Sequence, residues 1–175
     1  MTKKPVLTRR HAIGLGTGAA AAALSGCNPR GARFKRYSGP EVTRVLVFKE
    51  SRKMYLMSAR TPMRMFDIDL GFAPVGDKKV EGDGKTPEGD YVIDRKNPDS
   101  LFHLSLGISY PNAADRAEAA ALGKAPGGDI FIHGGPRRKD KAGPDWTWGC
   151  IAVTNGEIED IYAMVQVGTP ISIRA

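Results

Sequence analysis

The hydrophobic positions fall into short alternating runs separated by glycine-rich polar stretches, with one clear helical period near the C-terminus. Residues 42–48 alternate and are rich in valine, which predicts a strand. A polar turn at 49–53 leads to a returning strand over 54–58. Met63, Met65, Ile68 and Leu70 predict a third strand over 63–70, although the alternation slips at Phe66. Residues 76–89 are crowded with glycine, aspartate and lysine and read as a loop. Short strands are expected at 91–94 and 101–106, an alanine-rich helix at 115–122, and buried strands at 129–133 and 151–153. Thr154 and Glu157 have the spacing of a capping box. Ile158, Ile161, Tyr162 and Val165 then share one helical face. Gly168 ends that helix, and 170–173 closes as a strand. The fold class expected is mostly β with one or two helices, arranged as a β-sandwich or barrel.

The first 41 residues do not fit that picture. Residues 1–10 are basic, 11–25 are weakly apolar and rich in alanine and glycine, and Leu24-Ser25-Gly26-Cys27 resembles a lipobox. Thr8-Arg9-Arg10-His11 resembles a twin-arginine export signal. The reading is a signal peptide over 1–26, a lipidated Cys27, a flexible tether over 27–41 and a domain over 42–175. Export without lipidation and a retained membrane anchor are the alternatives. All three place the domain on the periplasmic side of a bacterial envelope, and the lipid reading makes the membrane a partner.

Charge follows the same division. The chain of 175 residues carries 26 basic and 19 acidic side chains, a net charge of +7. Eight of the basic groups and none of the acids lie in the first 40 residues, which leaves 18 against 19 beyond them. The domain is near neutral, so a nucleic-acid partner is not expected. Two cysteines exclude a disulfide-stapled scaffold.

Candidate chemistry is sparse. Beyond the leader, two histidines (His103, His133) and one cysteine besides Cys27 (Cys150) remain. Cys150 stands between a loop and a buried strand, after Gly149. His133 ends an apolar strand and precedes Gly134-Gly135. A thiol needs a neighbouring base to become a nucleophile, and histidine titrates near neutrality. Spacing alone leaves a buried structural cysteine as the commoner reading. A zinc site of His103, His133 and Cys150 matches no compact ligand pattern, and no metal or cofactor is implied. His103 reads as an ordinary strand histidine, Asp115 as a helix-start residue, and 137–141 as a charged loop tip.

Larger motifs sharpen this. Phe131-Ile132-His133-Gly134-Gly135 followed by Thr147-Trp148-Gly149-Cys150-Ile151 resembles the signature of YkuD-type L,D-transpeptidases. Gly84-Lys85-Thr86-Pro87-Glu88-Gly89-Asp90-Tyr91 is similar to that family's Thr-Pro-x-Gly segment. Ile108-Ser109-Tyr110-Pro111-Asn112 with Asp115-Arg116 resembles the YafK-like branch. The resemblance spans about 42–175 and implies a YkuD-like β-sandwich or barrel.

It also implies roles. Cys150 would be the nucleophile toward peptidoglycan stem peptides and His133 its base. The Gly134 carbonyl would fix the imidazole tautomer, and the Gly149 and Cys150 N–H groups would stabilise the oxyanion. Thr147, Trp148 and, by analogy, Tyr110 would meet substrate. The implied outcome is wall cross-linking or, in the YafK-like branch, hydrolysis that releases a wall-linked lipoprotein. A non-catalytic wall-binding lipoprotein is the rival. Two departures stand out: Trp148 replaces a frequent histidine, and Ala152 replaces a frequent arginine, so carboxylate recognition by that arginine does not carry over.

Overall fold

A computed structural model describes residues 34–135 and 143–175. The leader, Cys27 and the basic run at 137–141 lie outside the described residues.

Eight strands form one mixed sheet: β1 (Arg44–Phe48), β2 (Lys53–Ser58), β3 (Thr61–Asp67), β4 (Gly89–Asn97), β5 (Ser105–Ile108), β6 (Phe131–His133), β7 (Ile151–Ala152) and β8 (Pro170–Arg174). Their spatial order is β3-β2-β1-β8-β4-β5-β6-β7. Helices α1 (Ala113–Ala121) and α2 (Asn155–Met164) complete the fold. The class is therefore mostly β with two helices, and the sheet curls into a half-barrel. The chain just after β3 reaches the opposite sheet edge. Asp69 bridges Ala152 and Gly71 bridges Thr147, with both Asp69–Ala152 backbone bonds made, at 2.9 and 2.8 Å. This explains the slipped alternation around Phe66. Residues 63–70 serve two pairings, first with β2 and then with β7.

The core is continuous. Val45, Val47, Leu56, Ile93, Leu106, Ile132, Ile151, Ile171 and Ile173 are all fully buried. Two of these pairs meet across strands, Val45 with Ile171 and Val47 with Ile173, in the parallel β1–β8 register. Alternating apolar side chains on one face of each strand supply this core.

Both helices begin as their sequences dictate. At α2, Thr154 accepts from the Glu157 N–H while Glu157 reaches back to the Thr154 N–H, and Ile158 and Ile161 are buried. At α1 the cap is Asn112, and Asp115 completes the reciprocal pair. Asp115 therefore starts the helix by closing a capping box, and its carboxylate also accepts from the Tyr91 hydroxyl.

Other elements depart from the sequence reading. The strand expected at 101–106 is displaced to Ser105–Ile108. Leu101 is solvent-exposed, and His103 adopts φ 75°, which breaks an extended run. His103 is no strand histidine: its Nε2 lies 2.8 Å from Glu159 Oε1 on α2. Residues 34–41 have no regular structure, yet they rest on α2. Lys35 donates to the Gly156 carbonyl and to Asp160, and Phe34 packs against Tyr162.

Candidate active site

Strand register decides which side chains meet. In the parallel β6–β7 pair, Ile132 stands beside Ile151 and His133 beside Ala152. One residue back, Phe131 is level with Cys150. Side chains two apart on a strand share a face, so Phe131, His133 and Cys150 point to one side while Ile132 and Ile151 enter the core. That common side holds a cavity of about 290 Å³, lined among others by Asn97, Phe102, Ser105, Phe131, His133 and Cys150. Sixteen intervening residues are bridged by two adjacent strands.

The imidazole is buried and tightly seated. Its Nδ1–H donates to the Gly134 carbonyl at 2.6 Å, which leaves Nε2 as the nitrogen with a lone pair. Phe102 stacks on the ring at 4.6 Å between centroids, and Trp146 meets it edge-on at 5.6 Å. Phe102 and Trp146 also touch each other. Burial holds His133 below the usual imidazole value, with the Gly134 carbonyl pulling the other way. The neutral form, which can act as a base, is favoured.

Gly134 permits this turn. A Cβ there would lie 2.5 Å from Asn155 Oδ1 and 2.7 Å from the Phe102 carbonyl. Its N–H donates to the same Phe102 carbonyl, so the turn that fixes the tautomer also fixes the ring that stacks on it.

The thiol of Cys150 is half-buried and donates to the Asp129 carbonyl at 3.6 Å. The Phe131 backbone N–H also serves the sulfur as a donor, and among the described residues no hydrogen bond joins the thiol to the imidazole. Burial pushes the thiol up from its ordinary value. The Phe131 backbone N–H opposes this, the Asp129 charge adds to it, and the Lys78 charge opposes it. Thiol and imidazole are thus both held neutral near pH 7, an arrangement suited to proton transfer during attack rather than to a standing ion pair.

The loop before Cys150 is latched from within. Thr147 is buried. Its hydroxyl donates to the Cys150 carbonyl at 2.8 Å and accepts from the Gly149 N–H at 3.1 Å. The Thr147 side chain is spent on shaping the loop, and the Gly149 N–H is already engaged. Gly149 itself has φ 120°, and a Cβ there would lie 2.6 Å from the Lys85 carbonyl. The Gly84–Tyr91 motif therefore acts as a scaffold under the thiol loop. Thr86 accepts from the Gly71 N–H, and Gly71 bridges Thr147. Asp145 ties the other end through a paired contact with Arg52 and by accepting from the Leu70 N–H.

Trp148 is 73% exposed and packs edge-on against Phe72. Tyr110 lies elsewhere: it is buried in the core, its hydroxyl donates to the Pro126 carbonyl, and its ring meets Tyr91. Tyr110 follows the end of β5 by two residues, and these partners hold it in the core instead of at the cavity. His103 is committed to Glu159. Among the described residues no cluster of three or more His, Cys, Asp or Glu side chains is placed to hold a metal. Sequence reasoning missed Phe102; an exposed-looking aromatic two residues after Ser100 gives no linear signal of a partner 31 positions away.

Residues 42–173 match the family model YkuD, described as the L,D-transpeptidase catalytic domain. The chain belongs to the YkuD family. YafK of Escherichia coli K12 is 34% identical over 93 residues, which cover 52% of this chain and 32% of YafK. Among solved structures, Pgp2 of Campylobacter jejuni in its K307A form, a helical cell shape determining protein, is 28% identical with TM-score 0.61; the match covers 79% of this chain and 49% of Pgp2. An L,D-transpeptidase from Mycobacterium smegmatis shares the fold at 15% identity and TM-score 0.52, over 77% of this chain and 59% of its own. The chain spans about a third of YafK and about half of Pgp2. This YkuD domain therefore carries the family's β scaffold, with His133 at the end of β6 and Cys150 at the entry to the adjacent β7 lining one cavity.

Proposed function

We propose that the protein is an exported, cysteine-dependent acyl-transfer enzyme that remodels peptidoglycan by acting on its stem peptides. The observation that carries this reading is the shared cavity of Cys150 and His133, with Nδ1 tied to Gly134 so that Nε2 is left to act as a base. Family membership supplies the substrate class.

In the reaction, the Cys150 sulfur attacks a stem-peptide carbonyl carbon while His133 Nε2 takes the thiol proton. The carbonyl electrons move onto oxygen. Because the Gly149 N–H is held by Thr147, the Cys150 N–H is the oxyanion donor of this pair. Losing one such donor costs on the order of 2.7–4 kcal/mol of barrier. The tetrahedral intermediate collapses, the C–N bond breaks, and His133 returns the proton to the leaving amine. The resulting thioester passes its acyl group to an acceptor amine or to water.

The two acceptors define two outcomes, a new cross-link or hydrolytic release of an attached lipoprotein. Mass spectrometry of muropeptides incubated with the purified protein separates them by mass. Expected are a Cys150-dependent change in the muropeptide profile and acylation of Cys150 by a carbapenem, both lost in Cys150→Ala. Undiminished remodelling by Cys150→Ala overturns the proposal in favour of a wall-binding module.

The leader pattern supports export and anchoring at Cys27 on the periplasmic side of the envelope. Cys27→Ser is expected to release the protein from membranes; continued membrane association indicates a retained anchor.

A further inference from the structure

The arginine that family members often carry two positions after the cysteine is Ala152 here, yet the sheet brings another arginine toward the thiol. Arg95 on β4 pairs with Gly107 on β5, and Gly107 pairs with Phe131 on β6. Phe131 is level with Cys150 by the β6–β7 register. Arg95, Gly107, Phe131 and Cys150 therefore form one row across four strands.

A bulge sets the face. Ile93 pairs with Ile108, but the next pair is Arg95 with Gly107, so Asp94 is an extra residue. In an unbroken strand Arg95 would share the face of Ile93, which is in the core. The extra residue reverses the parity and turns Arg95 to the cavity side.

Gly107 then lets the side chain lie across the sheet. A Cβ on Gly107 would sit 2.5 Å from Arg95 Cγ and 2.9 Å from its Cζ. The guanidinium lies 4.6 Å from the centre of the Phe131 ring, a residue of the cavity wall. It is held by two carboxylates, Asp94 at 2.9 Å and Asp129 at 3.1 Å. The Asp129 side chain is 88% exposed, while its carbonyl receives the Cys150 thiol. One strand spacing, roughly 5 Å, separates the Phe131 position from Cys150.

We propose that Arg95 is the substrate-binding residue for the C-terminal carboxylate of the stem peptide, with Asp129 as the exposed placeholder that this carboxylate displaces. The inference rests on the acyl-transfer reading above. A peptide whose scissile carbonyl meets the thiol carries its terminal carboxylate one residue further on, about 3.3–3.8 Å along the chain, which brings it toward the guanidinium held over the neighbouring Phe131 ring. A planar fork of N–H donors suits two-point binding of a carboxylate. The Phe131 face beneath the guanidinium keeps it in place.

The test compares a disaccharide tetrapeptide with the same muropeptide bearing a C-terminal carboxamide, using the full chain. The wild type is expected to prefer the carboxylate. Arg95→Ala is expected to lower that preference about 10- to 100-fold, mainly through KM. Arg95→Lys should retain part of it. Asp129→Asn, which removes the competing carboxylate, should lower KM for the carboxylate substrate. Gly107→Ala should lower the preference by forcing Arg95 aside. Arg95→Ala that slows both substrates alike, or a wild type with no preference, overturns the assignment while leaving acyl transfer intact. A wild type that turns over neither muropeptide and is not acylated by a carbapenem overturns the acyl-transfer reading itself.

Discussion

Two polar side chains are buried equally deeply in this protein and have opposite relations to their surroundings. Lys49 is 2% exposed and His133 is 3% exposed. Lys49 has three N–H donors and gives all three away: to the Gly76 carbonyl at 2.6 Å, the Thr86 carbonyl at 2.8 Å and Glu88 Oε1 at 2.9 Å. His133 has two ring nitrogens and commits one, to Gly134. The saturated group ties the loop after β3 to the start of β4 and has nothing left to react with. The unsaturated one keeps an uncommitted nitrogen and lines a cavity that Cys150 lines too. Burial marks both residues as costly to place; only the count of partners separates a structural knot from a reactive group.

Substitutions at the two positions should therefore fail in different ways. His133→Ala is expected to lower turnover by roughly 10⁴-fold or more while the melting temperature stays within a few degrees of wild type. Turnover within tenfold of wild type would remove the base from the mechanism. Lys49→Met should do the reverse. It strands the buried Thr86 carbonyl together with the less buried Gly76 carbonyl and Glu88, and is expected to cost about 3 kcal/mol of stability in urea denaturation. The folded fraction should keep its kcat; a kcat loss without a stability loss would give Lys49 a part in the chemistry.

Smaller effects probe the frames around the reactive pair. Gly149→Ala forces a side chain into φ 120° beside the Lys85 carbonyl, which should cost about 2 kcal/mol and displace the thiol. Slower alkylation of Cys150 alongside a lower denaturation midpoint is the expected result; a variant of unchanged stability would mean the loop relaxes freely. Phe102→Ala removes the ring stacked on His133. It is expected to lower kcat about tenfold with little change in KM, because the imidazole loses its orientation.

Phe102→Ala also has a pH signature. Burial holds the His133 pKa below about 6.5, and the imidazole must be neutral to accept the thiol proton. Activity in the wild type should thus fall only as pH drops below 6.5, through the lowered pKa. Exposing the ring should move that acid limb to higher pH. A limb that stays in place, or one already centred above 6.5 in the wild type, would show that burial does not set the imidazole's charge.

Local order was largely legible. The valine alternation of 42–48, the helical period from Ile158 to Val165 and the Thr154–Glu157 cap each follow from neighbours a few positions apart, and each is present. The capping box at Asn112 and Asp115 follows the same rule but was masked by the alanine run, which carries no period to mark its start. The strand near 101–106 was misplaced because apolar residues there serve another purpose: Phe102 covers an imidazole, and His103 turns the chain. Tyr110, expected at the groove by family likeness, is in the core because its hydroxyl and ring find partners in Pro126 and Tyr91.

The linear sequence determined the strand-rich class, the caps, the glycine-marked turns and the short list of reactive side chains, since these depend on propensity and on period. Tertiary structure alone decided what those side chains face. Whether His133 and Cys150 share a side depends on the register between β6 and β7, whether Arg95 joins them depends on one extra residue at Asp94, and whether a buried group is quiet or reactive depends on partners tens of positions away. Each is a matter of pairing across strands, and a one-residue shift in pairing turns every side chain on a strand to the other face.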